Sequence, residues 1–469
     1  MLFRSADRPG RQVAVALVLD QVVVGEKMAR RAPDTVAGGD PLSRLFSLEQ
    51  FGIKLGLSNM RALTQALGEP QRTYKVIHIA GTNGKGSVSA MVEAAMRAAG
   101  CRTGRYTSPH LRALNERIAI DGEPVSDAAL AQSLHAVREA VERRLAQGVL
   151  PAHPTFFEVT TAVAFDLFRR HGVEWAVCEV GLGGRLDATN VVDPEVCAIT
   201  TIEMDHAQHL GQTLSQIAAE KAGIIKPGVP VVLGGIGADA RAVILRIASQ
   251  EAAPVLNATD VQWQPASSAA TACVDGPRQL ISPRNDYGTV TLALRGDYQR
   301  DNARTAVRVL EAVADVEPRV TPDAISTGLR SARWPGRLER LSLPDGRTLL
   351  LDAAHNPAGA AALAAYLRQD GPPRPLVFAA MQDKDLAGIL RALAPPVTES
   401  LWVTRASTAR SAEPAQLASI AHSISPQWRV SIAETPAAAL DGAWHESRSI
   451  TAAGSIFLLG DLLTTLHWP

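Results

Sequence analysis

A lysine in a glycine-rich turn is the residue of this chain whose setting most clearly indicates chemistry. Residues 81–87 (GTNGKGS) contain Lys85 among glycines that let several backbone N–H groups converge on one anion. An apolar, β-rich run, residues 76–80, precedes this turn, and the helical spacing of residues 88–99 follows it. A strand, a glycine loop and a helix N-terminus in this order predict a phosphate-binding loop, with Lys85 reaching the outer phosphates of a nucleoside triphosphate.

The loop departs from the ordinary Walker pattern at one position. That pattern has Ser or Thr directly after the lysine, whereas Gly86 follows Lys85 here and Ser87 comes one place later. The alternative is a glycine-rich strand-to-helix turn that holds no ligand. We favour phosphate binding because strand, lysine, hydroxyl and helix stand in the right order.

Two carboxylates come at the ends of predicted strands. Glu179 ends an apolar strand pattern and runs into the glycine-rich residues 181–184. Ligands collect at the carboxyl ends of parallel strands, and a carboxylate beside a triphosphate suits Mg²⁺. The alternative is a surface or capping glutamate. Asp352 ends a later strand, suited to bind a ribose, and His355 opens the next helix, where it could face phosphate. A structural cap explains this second pair equally well.

Three further residues have both an ordinary and a chemical interpretation. His206 follows a strand end and could be a partly buried core histidine, with Asp205 as its partner. Lys221 ends a helix, where the dipole favours a solvated cation. A desolvated Lys221 amine would instead react with CO₂ to give a carbamate, an anionic oxygen ligand for a metal. Ser108 lies in a turn that Pro109 stiffens. The residues alone do not choose between these interpretations.

Composition and charge limit the class of protein. The chain has 469 residues, 46% hydrophobic and 20% charged, and its 47 basic residues balance its 47 acidic ones. This length predicts two or three domains, and the balance favours neither nucleic acid nor membrane as a partner. The four cysteines lack metal-type spacing and indicate a reduced, cytoplasmic protein; they are Cys101, Cys178, Cys197 and Cys273.

The N-terminal segment does not resemble a membrane span or a signal peptide. Residues 13–24 are apolar but contain Asp20 and Gln21, and they are too short to span a bilayer. No convincing small-residue cleavage site follows. We expect residues 1–41 to form a weakly ordered extension.

Strands and helices alternate along the rest of the chain, which predicts a parallel sheet covered on both faces. In the first domain, residues 42–332, strands are predicted at 175–180, 196–201 and 229–234, and helices at 128–145, 157–170, 214–221, 238–249 and 301–313. Residues 255–295 change character and predict an antiparallel annex, with a β-rich piece at 289–294.

A proline-glycine break at residues 333–337 (RWPGR) predicts a linker, and the alternation restarts beyond it in a second domain, residues 338–469. Its strands are predicted at 348–352, 376–380, 401–404, 430–433 and 455–459, and its helices at 358–367, 386–393, 414–421 and 436–444. The fold class is therefore α/β: a P-loop-type parallel-sheet ATPase domain followed by a smaller Rossmann-like α/β domain.

Taken in order, these motifs resemble the folylpolyglutamate synthase/dihydrofolate synthase family of the Mur-ligase superfamily, from about residue 42 onward. The most specific match is residues 179–190 (EVGLGGRLDATN), and the Gly-Lys-Gly-Ser variant of the loop also fits the family. The other matching segments are residues 107–111, 155–158, 205–206, 220–224, 299–302, 333–337 and 352–357. One departure is Asp297-Tyr298, where the family often has a His-Gln pair.

The resemblance implies a role for each matching residue. ATP would be bound by Gly84, Lys85, Gly86, Ser87, Asn302, Arg337 and Asp352. Mg²⁺, at two sites, would be held by Ser108, Glu179, His206 and a carbamylated Lys221. A pterin would be lined by Thr155, Phe156, Phe157, Glu158, Leu186, Asp187 and Ala188. Lys85, His206, Lys221 and His355, which would lie near the γ-phosphate, would form the catalytic set.

The implied activity is an ATP-dependent ligase that adds L-glutamate to dihydropteroate and to the glutamate tail of reduced folates, through an acyl phosphate. The alternatives are a folylpolyglutamate synthase alone, another Mur-type ligase, or a P-loop regulatory protein without turnover. A Mur-type ligase for UDP-sugar peptides would need an N-terminal domain of roughly a hundred residues, and only about 75 residues precede the loop. We expect a monomer that binds small molecules.

Overall fold

The computed structural model describes residues 41–48, 52, 54, 56–150, 152–266 and 275–468. The predicted extension, residues 1–41, lies outside the described residues except for Pro41, and Cys273 lies outside them too. The three described cysteines, Cys101, Cys178 and Cys197, are buried and free in the structure. No helix in the described ranges combines the length and apolar character needed to cross a bilayer.

Within the described residues, the first domain is built on an eight-stranded sheet whose strands follow the apolar runs. The strands are β1 Lys75–Ala80, β2 Thr103–Tyr106, β3 Ile118–Ile120, β4 Glu123–Pro124, β5 Trp175–Glu179, β6 Val196–Ile199, β7 Val231–Leu233 and β8 Val255–Asn257. Their order is β4-β3-β2-β5-β1-β6-β7-β8, and the pairs from β2 to β8 are parallel. Strand β1 lies between β5 and β6 and is parallel to both, so the carboxyl ends of these three strands lie side by side at one edge of the sheet. Ligands bind at this edge in parallel α/β sheets.

Helices cover both faces of this sheet, as the alternation predicted. They are α1 Pro41–Ser47, α2 Ser58–Ala66, α3 Lys85–Ala98, α4 Asp127–Ala146, α5 Phe156–Arg170, α6 Ala207–Leu210, α7 Leu214–Ala222, α8 Ala238–Gln250, α9 Asp297–Ala314 and α10 Pro322–Ser331. Alternate side chains of β1 enter different cores: Ile77 packs with the α3, α9 and α10 side chains, and Val76 packs with those of α4 and α5.

The predicted annex is present as a three-stranded antiparallel sheet, β9 Gln262–Pro265, β10 Arg278–Ile281 and β11 Asp286–Val290. The β-rich piece predicted at 289–294 is wrong in its bounds, because the strand ends at Val290, while Leu294 is buried in the core beyond it. Trp263 ties the annex to α9 through a hydrogen bond from its indole Nε1 to the Arg300 carbonyl at 3.1 Å.

The second domain is a smaller α/β unit, also largely parallel. Its elements are β12 Glu339–Ser342, β13 Thr348–Asp352, α11 Pro357–Leu367, β14 Leu376–Phe378, α12 Leu386–Leu393, β15 Ser400–Val403, α13 Pro414–Ile424, β16 Arg429–Ile432, α14 Pro436–Glu446, β17 Ser449–Ala453 and α15 Ile456–Thr465. The sheet order is β12-β13-β17-β14-β15-β16, and only the edge pair β12–β13 is antiparallel. The predicted linker lies between α10 and β12.

The strand predicted at 455–459 is wrong. Ser455 is the N-cap of α15 and accepts a hydrogen bond from the Phe457 N–H, while Leu458, Leu459 and Leu462 are buried. The actual strand is β17, formed by residues 449–453. A short apolar run fits a buried helix as well as a buried strand, and here the serine cap decides for helix.

Candidate functional site

The glycine loop after β1 is held against the end of β6. Its Thr82 N–H donates to the Thr201 carbonyl at 2.8 Å, and the Asn83 N–H donates to Thr201 Oγ1 at 3.0 Å. Gly81 has φ 149°, and a Cβ built on it would lie 1.9 Å from Thr200 Oγ1. Only glycine fits there, so the close approach of β6 dictates the first glycine of the loop.

The glycine after the lysine is explained by a residue of the linker. A Cβ on Gly86 would lie 2.4 Å from the indole ring of Trp334, closer than carbon atoms approach without a shift. The Arg105 guanidinium also lies over the Trp334 ring, 5.0 Å from its centre. The departure from the Walker pattern therefore has a packing cause: the linker tryptophan lies directly against the loop.

Side chains of helix α9 contact the phosphate loop and the start of α3. Gln299 donates from Nε2 to Ser87 Oγ at 3.1 Å, and Asn302 donates from Nδ2 to Gln299 Oε1 at 2.9 Å. A Cβ on Gly84, which has φ 87°, would lie 2.2 Å from Asn302 Oδ1. Asn302 is thus packed on the loop itself, and its predicted contact with ATP stays a prediction.

Lys85 folds back over its own loop. Its Nζ donates to the carbonyls of Gly81 and Thr82 at 3.1 and 3.2 Å and lies 3.9 Å from Glu179 Oε1. Glu179 is 4% exposed, and burial raises the pKa of its carboxyl, which the Lys85 charge opposes. The Ser108 N–H donates to Glu179 Oε2 at 3.4 Å. The site therefore places the Lys85 ammonium beside the Glu179 carboxylate, whose ionised form burial makes unfavourable.

Lys221 is a buried amine beside the same loop. Its Nζ donates to the Gly81 carbonyl at 2.8 Å, and the residue is 5% exposed. Burial, with the charge of Lys85, lowers the pKa of Lys221 to about 7. The buried amine of Lys221 is therefore not the solvated helix-end cation that the helix dipole alone would favour.

The two histidines both lie near Asp205 at the boundary between the domains. His206 Nε2 lies 3.4 Å from the ammonium of Lys384, and burial together with that charge lowers the pKa of His206 to about 4. His355 Nδ1 is 2.9 Å from the Ala353 carbonyl, and its Nε2 lies 3.6 Å from Asp205 Oδ2. Lys384 was missed from the sequence, because its segment carries no motif that marks it.

Asp352 is a buried carboxylate at the end of β13 that accepts three hydrogen bonds. It accepts hydrogen bonds from Tyr298 Oη at 3.2 Å and from the N–H groups of Leu338 and Ala354 at 3.0 and 2.9 Å. Burial raises the pKa of this carboxyl, and the Arg337 charge opposes the shift. Tyr298, the departure from the family pattern, therefore contacts a predicted ATP-binding residue, so the substitution falls inside the interdomain contact.

One cavity brings most of the predicted ATP and metal residues together. Its lining contains Gly84, Lys85, Gly86, Ser87, Ser108, Glu179, His206, Lys221, Arg337 and His355. Asp205 lines it too, whereas Asn302 and Asp352 are not among the lining residues. The first domain supplies the loop and carboxylates, and the second supplies His355, so the cavity is a cleft between the two domains.

The residues predicted for the pterin lie outside this cavity. Thr155 and Glu158 form a capping box that starts α5: Thr155 Oγ1 accepts from the Glu158 N–H, and Glu158 Oε2 accepts from the Thr155 N–H at 2.7 Å. Phe156 stacks on Phe46 with ring centres 5.7 Å apart. Phe157 lies against Gly181, whose ideal Cβ would be 2.4 Å from the Phe157 ring.

The other predicted pterin segment holds the second glycine-rich loop in place. Asp187 accepts from the N–H groups of Leu182 and Thr189 at 2.8 and 3.0 Å. Burial raises the pKa of its carboxyl, and these hydrogen bonds oppose the shift. Ala188 is buried in the same apolar core as Phe156, and Leu186 is half-buried. The two segments share one core, so the structure places them side by side, apart from the phosphate loop.

Comparisons with known proteins match both domains. The profile of the Mur ligase middle domain matches residues 79–310, and that of the Mur ligase glutamate ligase domain matches residues 336–456. The dihydrofolate synthase/folylpolyglutamate synthase of Mycobacterium tuberculosis is 39% identical over 376 residues, covering 77% of this chain and 76% of that protein. The folylpolyglutamate synthase of Lacticaseibacillus casei is 38% identical, covering 70% and 76%.

A third relative is longer. The probable bifunctional folylpolyglutamate synthase/dihydropteroate synthase of Haloferax volcanii is 34% identical over 431 residues, which cover 90% of this chain but 49% of that protein. This chain therefore spans about half the length of that relative.

Solved structures agree over nearly the whole chain. The folylpolyglutamate synthase of Mycobacterium tuberculosis, complexed with ADP and AMPPCP, matches with a TM-score of 0.82 and 36% identity, covering 92% of this chain and 100% of that one. FolC of E. coli, in complex with DHPP and ADP, matches with a TM-score of 0.79 and 28% identity, covering 92% and 98%. The α/β fold class predicted from the alternation is confirmed.

Proposed function

We propose a reaction on the premise that this chain belongs to the folylpolyglutamate synthase/dihydrofolate synthase family of Mur ligases. The reaction is the ATP-dependent joining of L-glutamate to a pteroate or folate carboxylate. The observation that carries this proposal is the convergence of Lys85, Glu179 and Lys221 in one cleft that the second domain borders through His355. A phosphate loop, a buried carboxylate and a low-pKa lysine form a set suited to phosphoryl transfer.

The chemistry has two steps. First, a substrate carboxylate oxygen attacks the γ-phosphorus of ATP, and the bond from that phosphorus to the β-phosphate oxygen breaks. ADP is the leaving group, and the carboxylate becomes an acyl phosphate. Second, the glutamate amine attacks the acyl carbon, the carbon–oxygen bond to phosphate breaks, and the nitrogen loses a proton as the amide forms. Water would destroy the acyl phosphate, so the cleft must exclude it.

The residues of the chain divide this work by position. Lys85, Gly84, Gly86 and Ser87 would bind the phosphates, because the loop presents backbone N–H groups and one ammonium to them. Asn302, Arg337 and Asp352 would bind the rest of ATP at the domain boundary. His355, which directly precedes the α11 N-cap Asn356 and lies beside Asp205, would face the γ-phosphate.

The acidic side of the cleft fits a magnesium ion. Glu179 is a buried carboxylate whose ionised form needs a nearby cation, and Ser108 and His206 line the same cavity. In the described ranges, no three His, Cys, Asp or Glu side chains cluster as a metal site, so phosphate oxygens and water would complete the shell. We assign Ser108, Glu179 and His206 as the residues that would hold Mg²⁺. When bound, this ion neutralises charge on the phosphates.

We further assign Lys221 as a carbamate that would serve a second Mg²⁺. The neutral amine attacks CO₂, an N–C bond forms, and the nitrogen releases a proton to solvent, leaving an anionic oxygen donor. Burial supports this proposal, because it lowers the pKa of the Lys221 amine and so raises the fraction that is unprotonated at neutral pH.

With ¹³C-bicarbonate, we expect one protein carbamate signal in the ¹³C spectrum that Lys221→Arg abolishes. Because the Lys221 pKa is about 7, the amine gains its reactive form as pH rises through neutrality, so the signal should strengthen from pH 6 to 8. The exposed Lys54 offers a matched control: Lys54→Arg should leave the signal unchanged. A signal that persists in Lys221→Arg would contradict the assignment.

Two acceptors are proposed, dihydropteroate and reduced folates. The shared core of Phe156 and Ala188, with Phe157 beside the glycine-rich loop, supports a flat ring near residues 155–158 and 186–188. The alternatives are a folylpolyglutamate synthase alone and, with less support, another Mur-type ligase. A monomeric state and a cytoplasmic location stay predictions.

The activity test compares acceptors. Purified protein with Mg²⁺, ATP and L-glutamate should release ADP and form an amide with dihydropteroate and with tetrahydrofolate, but release no ADP without an acceptor. Amide formation with only tetrahydrofolate would reduce the proposal to a folylpolyglutamate synthase. Absence of amide with both acceptors, in protein that binds ATP, would overturn it.

A further inference from the structure

Asp205 is one of the points at which the two domains contact each other, and it lies beside the cleft. Lys384 Nζ donates to Asp205 Oδ1 at 2.7 Å, Asn356 Nδ2 donates to Oδ2 at 3.4 Å, and His355 Nε2 lies 3.6 Å from that oxygen. All three partners belong to the second domain, and Asp205 belongs to the first. One carboxylate of the first domain therefore contacts three polar side chains of the second.

The ion pair between Asp205 and Lys384 is almost fully removed from water. The two side chains are 9% and 8% exposed. Although burial opposes ionisation, the contact with His355 and the Lys384 ammonium hold the pKa of Asp205 well below its usual range. Water screens such a pair little, so separating the domains would expose two charges that now satisfy each other.

Lys384 is the residue of its loop that reaches across the boundary. The loop joins β14 to α12, and the neighbouring carboxylates are used within the second domain. Asp383 pairs with Arg410 at 3.0 Å, and Asp385 caps α12 by accepting from the Gly388 N–H at 2.9 Å. Lys384 also lies 3.4 Å from His206 Nε2, so its ammonium borders the cleft.

A second contact ties the same boundary to the phosphate loop. The side-chain amides of Asn83 and Asn356 exchange two hydrogen bonds, at 3.3 and 2.9 Å. Asn356 also caps α11 by accepting from the Gly359 N–H at 2.8 Å. The second domain therefore contacts the loop and Asp205 through the adjacent residues His355 and Asn356, while Lys384 adds an ion pair from a different loop.

We propose that Lys384 is a positioning residue for ligation, which holds the second domain over the cleft through its ion pair with Asp205. This inference rests on the proposed function. Without the ion pair, water would reach the acyl phosphate. The water oxygen would then bond to the acyl carbon, and the carbon–oxygen bond to phosphate would break, so that phosphate leaves. A proton would pass to solvent, and the original carboxylate would form again. ATP would be consumed without amide formation.

The test measures ADP and amide in the same reaction. Wild-type protein should form one amide per ADP, whereas Lys384→Met should release several ADP per amide while its affinity for ATP changes less than twofold. Arg410→Met is the matched control, because it removes the ion pair of Asp383, on the same loop, with an exposed arginine that also belongs to the second domain. It should keep the wild-type ratio, and Lys384→Arg should restore most of it.

A second readout is independent of which amide is made. In small-angle scattering with Mg²⁺ and AMPPCP, Lys384→Met should show a larger radius of gyration than wild type and than Arg410→Met. If wild-type protein makes no amide, the proposed function fails, while scattering still tests the domain contact. An unchanged radius, or an unchanged ADP-to-amide ratio with only a higher KM for glutamate, would overturn the inference and make Lys384 a substrate ligand.

Discussion

Gly86→Ala should weaken ATP binding by about tenfold or more, since overpacking costs about 1–3 kcal/mol. Its backbone has no positive φ, so alanine meets no conformational strain of its own, and the Cβ would meet the Trp334 ring at 2.4 Å. The loop or the linker must move, and either movement displaces N–H groups that would bind phosphate. Titration calorimetry with AMPPCP and Mg²⁺ would measure the loss directly.

A second substitution separates this clash from a general defect. Trp334→Leu leaves room for the new methyl group, so the double variant Gly86→Ala/Trp334→Leu should bind AMPPCP more tightly than Gly86→Ala alone. Gly235→Ala is the control, because an ideal Cβ on Gly235 has nothing within 4 Å, and its affinity should equal that of wild type. Wild-type affinity in Gly86→Ala, or no recovery in the double variant, would contradict the packing explanation.

Gly86 also shows what the sequence could and could not predict about the site. The order of strand, glycines and Lys85 is local, so the phosphate loop could be predicted from adjacent residues. The reason for Gly86 lies in Trp334, about 250 residues later along the chain, and no local rule joins the two. The sequence showed the departure, and the fold supplied its cause.

For the fold too, the elements that could be predicted are those marked by a local pattern of residues. Apolar runs such as residues 175–180 and 229–234 predicted buried parallel strands, because both faces of the sheet are covered. Where the run was short, the period was ambiguous, and residues 455–459 were assigned to a strand although Ser455 caps a helix. The edge strand β12 was missed, since its Glu-Arg-Leu-Ser sequence has only one buried residue.

The site contacts that were missed share one property: each joins residues that lie far apart in the sequence. Asp205 was predicted only as a partner of His206, yet its shortest side-chain contact is with Lys384. Gln299 contacts Ser87, and Asn356 contacts Asn83, although neither pair is close in sequence. Such pairings follow from the tertiary packing within the first domain and from how the two domains meet, and hydrophobic periodicity encodes neither.

The second large effect is expected at Glu179, where function and stability should change in opposite directions. Glu179→Gln should lower ligation by about a hundredfold or more, the scale of one lost electrostatic contact in a transition state. The same variant should unfold at a higher temperature at neutral pH without nucleotide. Glutamine keeps the shape of the side chain but needs no cation, whereas the ionised carboxylate is buried and only partly compensated by Lys85 at 3.9 Å.

The pH dependence of this stability follows from the raised pKa. Between the ordinary value of 4.5 and the higher pKa of folded Glu179, the native state holds more protons than the unfolded state. Stability from this group therefore falls as pH rises through that window, and the full cost remains above it. The stabilisation by Glu179→Gln should accordingly be largest at neutral pH and vanish below pH 4.5, as thermal unfolding at several pH values would measure.

Glu174→Gln is the control of opposite sign. Hydrogen bonds from the Arg319 side chain and the Arg102 N–H hold the pKa of this exposed carboxyl below its ordinary value, so its ionised form favours the native state and glutamine should gain no stability there. Ligation should stay at the wild-type rate in Glu174→Gln. If Glu179→Gln lost stability at neutral pH, or ligated as fast as wild type, the buried carboxylate would be a structural partner of Lys85 rather than the residue that binds the cation.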